Sequence, residues 1–187
     1  MKHKPEAIFD AAIALFDEHG VGVSTAKVAA AAGVSNGTLF NYFPTKQALL
    51  DGLYLHLKAE LTQSLGDIDE ALSIRDQVEQ VWTRWLGWAT ATPSHHRVAR
   101  LLHESGLASP EAAERAMALF SNSQRVLEEA RRQGLLIDLP DDYLAALIQQ
   151  QLELAITAHL DTTQQQVAFD AMWNSITSAP TKAGNNT

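Results

Sequence analysis

The sequence predicts an all-α protein, with a three-helix helix-turn-helix domain at the N-terminus followed by a helical bundle, about nine helices in all. Three observations predict it. Apolar residues recur at spacings of three and four along most of the chain. Helix starters such as Ser24, Thr45 and Pro110 alternate with helix enders such as Gly20, Gly33, Gly66 and Gly134. No alternating strand pattern appears, and the single Asn-Gly pair, Asn36-Gly37, lies inside a helical pattern instead of between two strands.

Taken in order, Pro5 suits a first helical turn, and Ile8, Ala12, Leu15 and Phe16 then share a face until Gly20 ends the first helix. Ser24 caps a second helix that runs through Ala32 and stops at Gly33. A third extends from about Ser35 to Phe43, where Pro44 halts it. Thr45 opens a long fourth helix that reaches Leu65. Five further helices are expected at about 69–91, 93–105, 110–133, 140–160 and 163–178. The tail, 179–187, with Pro180, Gly184 and two asparagines, is expected to be disordered. Short connections between long helices imply antiparallel neighbours.

Of 187 residues, 46% are hydrophobic and 19% charged, which suits a packed core and argues against a disordered chain. The chain has no cysteine, so disulfide frameworks and thiolate metal sites are excluded. The first residues lack the apolar run of a signal peptide, and no stretch approaches the roughly 18 apolar residues of a membrane span. A cytoplasmic protein without a membrane partner is expected. The net charge is −8, yet residues 1–47 balance Lys2, Lys4, Lys27 and Lys46 against Glu6, Asp10, Asp17 and Glu18. The acidic excess therefore lies entirely in the remainder of the chain.

The informative stretch runs from Ser24 to Phe43. Small residues at Ala29 to Ala32 let two short helices approach steeply across a turn at Gly33. Val28, Val34 and Leu39 are spaced to face the first helix, which leaves Ser35, Asn36, Thr38, Asn41 and Tyr42 outward. A face of hydroxyls and amides without a carboxylate suits the groove of a polyanion, where hydroxyls bond phosphates and Asn can pair with an adenine edge. Gly37 lets backbone approach closely. An alanine-rich core helix followed by a capped, solvated one fits the same periodicity.

The run Ala-Ala-Gly-Val-Ser-x-Gly-Thr-Leu-Phe-x-Tyr-Phe-x-x-Lys, from Ala31 to Lys46, resembles the signature of the TetR family of transcriptional regulators. The resemblance implies a homodimeric repressor and no enzymatic activity. A helix-turn-helix domain over 1–47 would bind a near-palindromic DNA operator, and a ligand-binding and dimerisation domain over 48–178 would release it on binding a small-molecule effector. Carried over by position, Thr25, Tyr42 and Lys46 would hold phosphates, with Lys46 beside the N-terminal amides of the fourth helix. Ser35, Asn36, Gly37, Thr38 and Asn41 would lie at or near base edges, Lys27 would reach a phosphate, and Ser24 belongs to the same DNA-binding set. Three positions depart from the common pattern. Asn36 replaces a frequent basic residue, Phe40 a tyrosine, and Lys27 an acidic residue that would complete a capping box with Ser24.

In the remainder, Trp82, Trp85 and Trp88 share a broad helix face and, with His103 and Phe120, could wall an effector pocket. The same tryptophans fit ordinary core packing equally well. His95, His96, His103 and Glu104 match no metal-ligand spacing, and no cofactor motif accompanies them, so neither metal nor cofactor is expected. A dimer face is expected on the last two helices through Leu144, Ile148, Leu152 and Ile156, then Phe169 and Trp173. Packing within one chain accounts for part of that stripe as well. A body that docks a protein in place of a small molecule is the nearest rival. An all-α metal enzyme built on the histidines is a remote one.

Overall fold

The computed structural model describes residues 4–178, so the tail expected to be disordered lies outside the described residues. Among them are ten helices: α1 (Lys4–His19), α2 (Thr25–Ala31), α3 (Asn36–Tyr42), α4 (Lys46–Leu65), α5 (Ile74–Ala91), α6 (Pro93–Glu104), α7 (Pro110–Ala118), α8 (Ser121–Arg132), α9 (Asp141–Thr157) and α10 (Thr162–Ile176). No strand occurs among the described residues beyond one antiparallel bridge, Leu136 to Thr177.

The all-α expectation is met, with one more helix than expected. The helix predicted over 110–133 is two, α7 and α8. At the join, the amides of Leu119 and Phe120 bond the carbonyls three residues back, a tightened turn that ends α7. Ser121, Asn122 and Ser123 follow, residues whose side chains compete with the helical ladder. The fifth helix starts at Ile74, later than periodicity suggests. The Ser73 hydroxyl accepts from the Asp76 amide at 3.2 Å and donates to its carboxylate at 2.7 Å, which fixes the start locally.

The chain forms two compact units. The first holds the chain to Ser64 together with Ala91–Phe120, that is α1–α4, α6 and α7. Its core joins Ile8, Ala12 and Phe16 of α1 to Val28, Leu39 and a four-residue ladder on α4, Leu49, Leu53, Leu57 and Leu61. Burying each such leucine contributes about 1.5–3 kcal/mol. Arg97 of α6 grips Asp17 of α1 with two hydrogen bonds of 2.7 Å, and the guanidinium holds the Asp17 carboxyl below its ordinary pKa. Two histidines tie α6 to α4. His95 Nδ1 sits 2.7 Å from Glu60, and His103 Nδ1 lies 3.1 Å from the Tyr54 hydroxyl.

One glycine positions α4. A Cβ on Gly52 would come within 3.0 Å of the Phe43 ring and 3.4 Å of Phe9. Its absence lets α4 lie against the Phe9–Phe43 pair, whose centroids are 5.2 Å apart.

The second unit holds Leu65–Thr90 and the chain from Ser121 onward, which brings α5, α8, α9 and α10 together. Its core contains Ile74, Val78, Trp82 and Leu86 of α5, Val126 and Ala130 of α8, Leu144 and Leu152 of α9, and Phe169, Met172 and Ile176 of α10. Trp82 meets Phe169 edge-on at 6.1 Å. Arg75 lies over the Phe169 ring at 5.1 Å and bonds Asp170 and Glu79. Its charge is thereby matched while its stem covers apolar surface.

Candidate nucleic-acid interface

The helix-turn-helix segment is shaped by main-chain bonds and short side chains. Ser24 caps α2, its hydroxyl accepting from the Lys27 amide at 3.4 Å. At the other end Gly33 adopts φ +67°, a left-handed conformation that glycine takes at no steric expense. The amide of Gly33 bonds Ala30 and that of Val34 bonds Ala29, at 3.1 and 3.0 Å. This is a Schellman closure, which satisfies the last carbonyls of α2 and turns the chain sharply. Ser35 then caps α3, accepting from the Thr38 amide at 3.0 Å, with the two hydroxyls 2.8 Å apart. Phe43 leaves the helix in an extended conformation and Pro44 follows, while the Thr45 hydroxyl caps α4 through the Ala48 amide at 3.0 Å.

Within this frame Val28 and Leu39 are buried, and neither α2 nor α3 contains a carboxylate. Asn36, Gly37, Asn41 and Tyr42 are exposed on α3, with Ser35 exposed at its start and Thr38 half-buried. On α2, Lys27 is exposed and Thr25 half-buried, and Ser24 is exposed just before it. The hydroxyls of Ser24, Ser35 and Thr38 are thus already engaged in helix starts. Lys46 donates from Nζ to the Val21 carbonyl at 2.7 Å, which ties the start of α4 to the α1–α2 loop. An ammonium has three donors, so two remain for an anion.

The residues expected around a pocket do not all share a unit. Trp82, Trp85 and Trp88 belong to the second, where Trp82 and Trp88 are buried, whereas His103 and Phe120 belong to the first. His103 stacks in parallel with Tyr54 at 6.4 Å, and the Lys58 ammonium sits 5.7 Å from the Phe120 ring. Burial and the Lys58 charge push the His103 pKa down, against a smaller opposing effect of Glu104. In the second unit a cleft of about 650 Å³ is lined by Leu72, Ile74, Arg75, Gln77, Arg125, Val126 and Trp173, among others, and by none of those five residues. The indole N–H of Trp82 is buried without an acceptor among the described residues.

Of the residues expected at a dimer face, Leu144, Leu152 and Phe169 are buried in the second unit, with Ile148, Ile156 and Trp173 partly buried against that core. Sequence reasoning passed over two exposed apolar residues, Tyr143 and Leu154 on α9, while Val167 of the apolar stripe on α10 is exposed as well. Leu154 and Val167 are 68% and 64% exposed, more than any other large apolar side chain among the described residues. Tyr143, Leu147 and Leu154 recur at four and seven along one flank of α9, a signal legible once the core face is known. No group of three His, Asp or Glu side chains among the described residues is arranged to hold a metal ion. No helix among them is long and apolar enough to cross a membrane.

A short capped helix presented behind a Schellman turn, with an uncharged polar face outward, defines a helix-turn-helix DNA-binding protein. The family model for bacterial regulatory proteins of the tetR family matches residues 8–53, which span α1 to the first turns of α4. The transcriptional regulator MftR of Mycobacterium tuberculosis is 31% identical over 134 residues, covering 70% of this chain and 66% of that one. The nucleoid occlusion factor SlmA of Shewanella pealeana is 28% identical, covering 69% of this chain and 68% of its own. A TetR-family regulator of Shewanella sp. PV-4 superposes with a TM-score of 0.86 at 26% identity, over 95% of this chain and all of that one. The chain belongs to the TetR family of bacterial regulatory proteins, and it is a DNA-binding regulator and not an enzyme.

Proposed function

We propose that the chain acts as a homodimeric repressor that binds a near-palindromic operator through residues 1–47 and leaves it when the remainder, 48–178, takes up a small-molecule effector. The observation that carries the DNA-binding half of this reading is the outward face of α3. Asn36, Thr38, Asn41 and Tyr42 present amides and hydroxyls with no carboxylate, on a helix fixed at both ends. Asn36 and Asn41 suit base edges, while Thr25, Lys27, Tyr42 and Lys46 suit phosphates. Ser24, Ser35 and Gly37 aid them by setting helix starts and close approach.

Dimerisation places two such helices on successive half-sites. The proposed face keeps Ile148, Ile156 and Trp173 and adds the exposed Leu154 and Val167, supported from beneath by Leu144, Leu152 and Phe169. For the effector, the Trp82 N–H favours a ligand that brings a hydrogen-bond acceptor into the second unit, where Trp85 and Trp88 also lie, since a buried donor left unpaired costs about 1–3 kcal/mol. His103 and Phe120 are the other candidates. The effector can shift operator affinity only by its preference for one of two conformations, so the coupling is a linkage.

Gel shifts on duplexes selected by the purified chain test the reading. Tyr42→Phe and Lys46→Ala should weaken binding by a similar factor on every duplex. Asn36→Ala and Thr38→Ala should instead change which bases are preferred. No effect from any of the four would sink the assignment of α3 and its neighbours.

A further inference from the structure

Helix α3 carries one large apolar side chain that its own fold does not bury. Leu39 beside it is fully buried, but Phe40 is 38% exposed, amid Asn36, Asn41 and Tyr42. One turn earlier, Gly37 is out of place for a different reason. Glycine costs backbone entropy even in the first turn of α3, and here neither ordinary compensation applies. Its backbone is not left-handed, and a Cβ there would meet nothing nearer than the Ser35 hydroxyl at 3.9 Å. Nothing among the described residues requires a glycine there.

Gly37 and Phe40 stand three residues apart, so they are neighbours on the helix surface. Helical side chains lean toward the N-terminus, which carries the Phe40 ring toward the turn that holds Gly37. The Cα methylene of Gly37 beside an exposed ring makes a small apolar seat on a face otherwise composed of amides and hydroxyls. Phenylalanine offers no donor or acceptor, so it cannot bond a phosphate or the polar edge of a base. Thymine alone among the four bases presents a methyl group in the major groove. Cytosine presents an amino donor there, which a phenyl ring would leave unpaired.

We propose that Gly37 and Phe40 seat the 5-methyl group of a thymine and so select thymine over cytosine at one position of each half-site. The proposal rests on α3 being the groove-facing helix. It also gives a use to the phenylalanine that stands where a hydroxyl-bearing ring is common, since the lost hydroxyl leaves a purely apolar contact.

The test begins with an operator enriched from randomised duplexes by the full chain. Each thymine is then replaced in turn by deoxyuridine, which removes the methyl and keeps the base pair. At one thymine of each half-site, the wild-type chain should lose about fourfold in affinity, the factor that corresponds to burying one methyl group. Phe40→Ala should bind more weakly and show no further loss at that position. Gly37→Leu fills the seat while favouring the helix, so it should hold or raise Tm yet erase the thymine preference. Equal affinity for thymine and deoxyuridine at every position in the wild type would overturn the proposal. So would a Phe40→Ala chain that keeps the fourfold difference. If no duplex is enriched at all, the groove-facing assignment of α3 fails first and the methyl seat falls with it.

Discussion

Helices α2 and α3 and helices α9 and α10 are joined by connections of the same grammar, yet they turn opposite surfaces outward. Each connection has four residues: Ala32-Gly33-Val34-Ser35 in one, Ala158-His159-Leu160-Asp161 in the other. In both, an alanine ends the helix, a left-handed residue follows, an apolar residue comes next, and a side-chain cap opens the new helix. The left-handed residue is Gly33 at φ +67° in the first and His159 at φ +51° in the second. Beyond this the pairs diverge. The outward side of α3 is polar and uncharged but for Phe40, whereas α9 and α10 expose Tyr143, Leu154 and Val167. The same local chemistry can build a surface for a polyanion or one for another protein, and the outward residues alone decide which.

Five outcomes would break or sharpen this contrast. The largest concerns the support beneath the apolar surface. Phe169→Ala removes a fully buried ring that contacts Trp82 and Arg75, and should lower unfolding free energy by about 3–5 kcal/mol in denaturant titration. Next, Leu154→Glu with Val167→Glu should leave the fold intact by circular dichroism but give a monomer by light scattering. Loss of the second half-site contact should then weaken operator binding by about a hundredfold. A dimer that survives the pair of charges would place the interface elsewhere.

On the first unit, Gly52→Ala should destabilise by about 1–3 kcal/mol despite the better helix former, because the Phe43 ring already sits 3.0 Å from the new methyl. The two connections can be tested against each other by exchanging their left-handed residues. Gly33→His should cost about 1–2 kcal/mol, and His159→Gly should gain up to a similar amount, since only glycine adopts that backbone freely. Small effects at both sites would mean that neither turn demands a glycine, and unequal ones that the two turns differ in their demand.

The smallest effect is on pH. His103 is neutral more readily than an ordinary histidine because burial and the Lys58 ammonium disfavour its charge. The unfolded chain therefore binds the proton first, near the ordinary value of 6.5, and stability falls as pH drops from there toward the folded pKa. Above that window the contribution is fully present. His103→Gln should flatten this part of a Tm-against-pH curve, and a slope unchanged by the substitution would assign it to another group.

Legibility in the sequence followed the range of the signal. Ser24, Gly33, Ser35 and Pro44 act within four residues of themselves, and they placed α2 and α3 to within a residue. The α7–α8 break was hidden because the apolar spacing of 110–133 continues smoothly through Leu119 and Phe120. Membership of the units was hidden for a different reason. α6 joins α1 through Arg97 and Asp17, 80 residues apart in sequence, and no local pattern announces such a pairing. On α9 and α10 the apolar stripe was visible, but its division was not. Leu144, Leu152 and Phe169 face the core while Leu154 and Val167 face out, a choice made by which helices pack alongside. At the candidate interface, residue type and position were legible. The prior engagement of Ser35, Thr38 and Lys46 was not, nor was the exposure of Phe40.

The way α3 is held has a consequence for how such a protein changes over generations. Its angle depends on the backbone bonds at Gly33, on two serine caps and on the buried Leu39, all of them contacts made within the chain. Asn36, Gly37, Phe40 and Asn41 are exposed and stand apart from that frame. If α3 faces the groove as proposed, substitutions at these four positions would alter what it reads while the chain continues to fold. A duplicated copy of the gene could therefore drift toward a new operator one residue at a time, without passing through an unfolded intermediate. The same latitude makes the segment a cassette in which a designer could rewrite recognition.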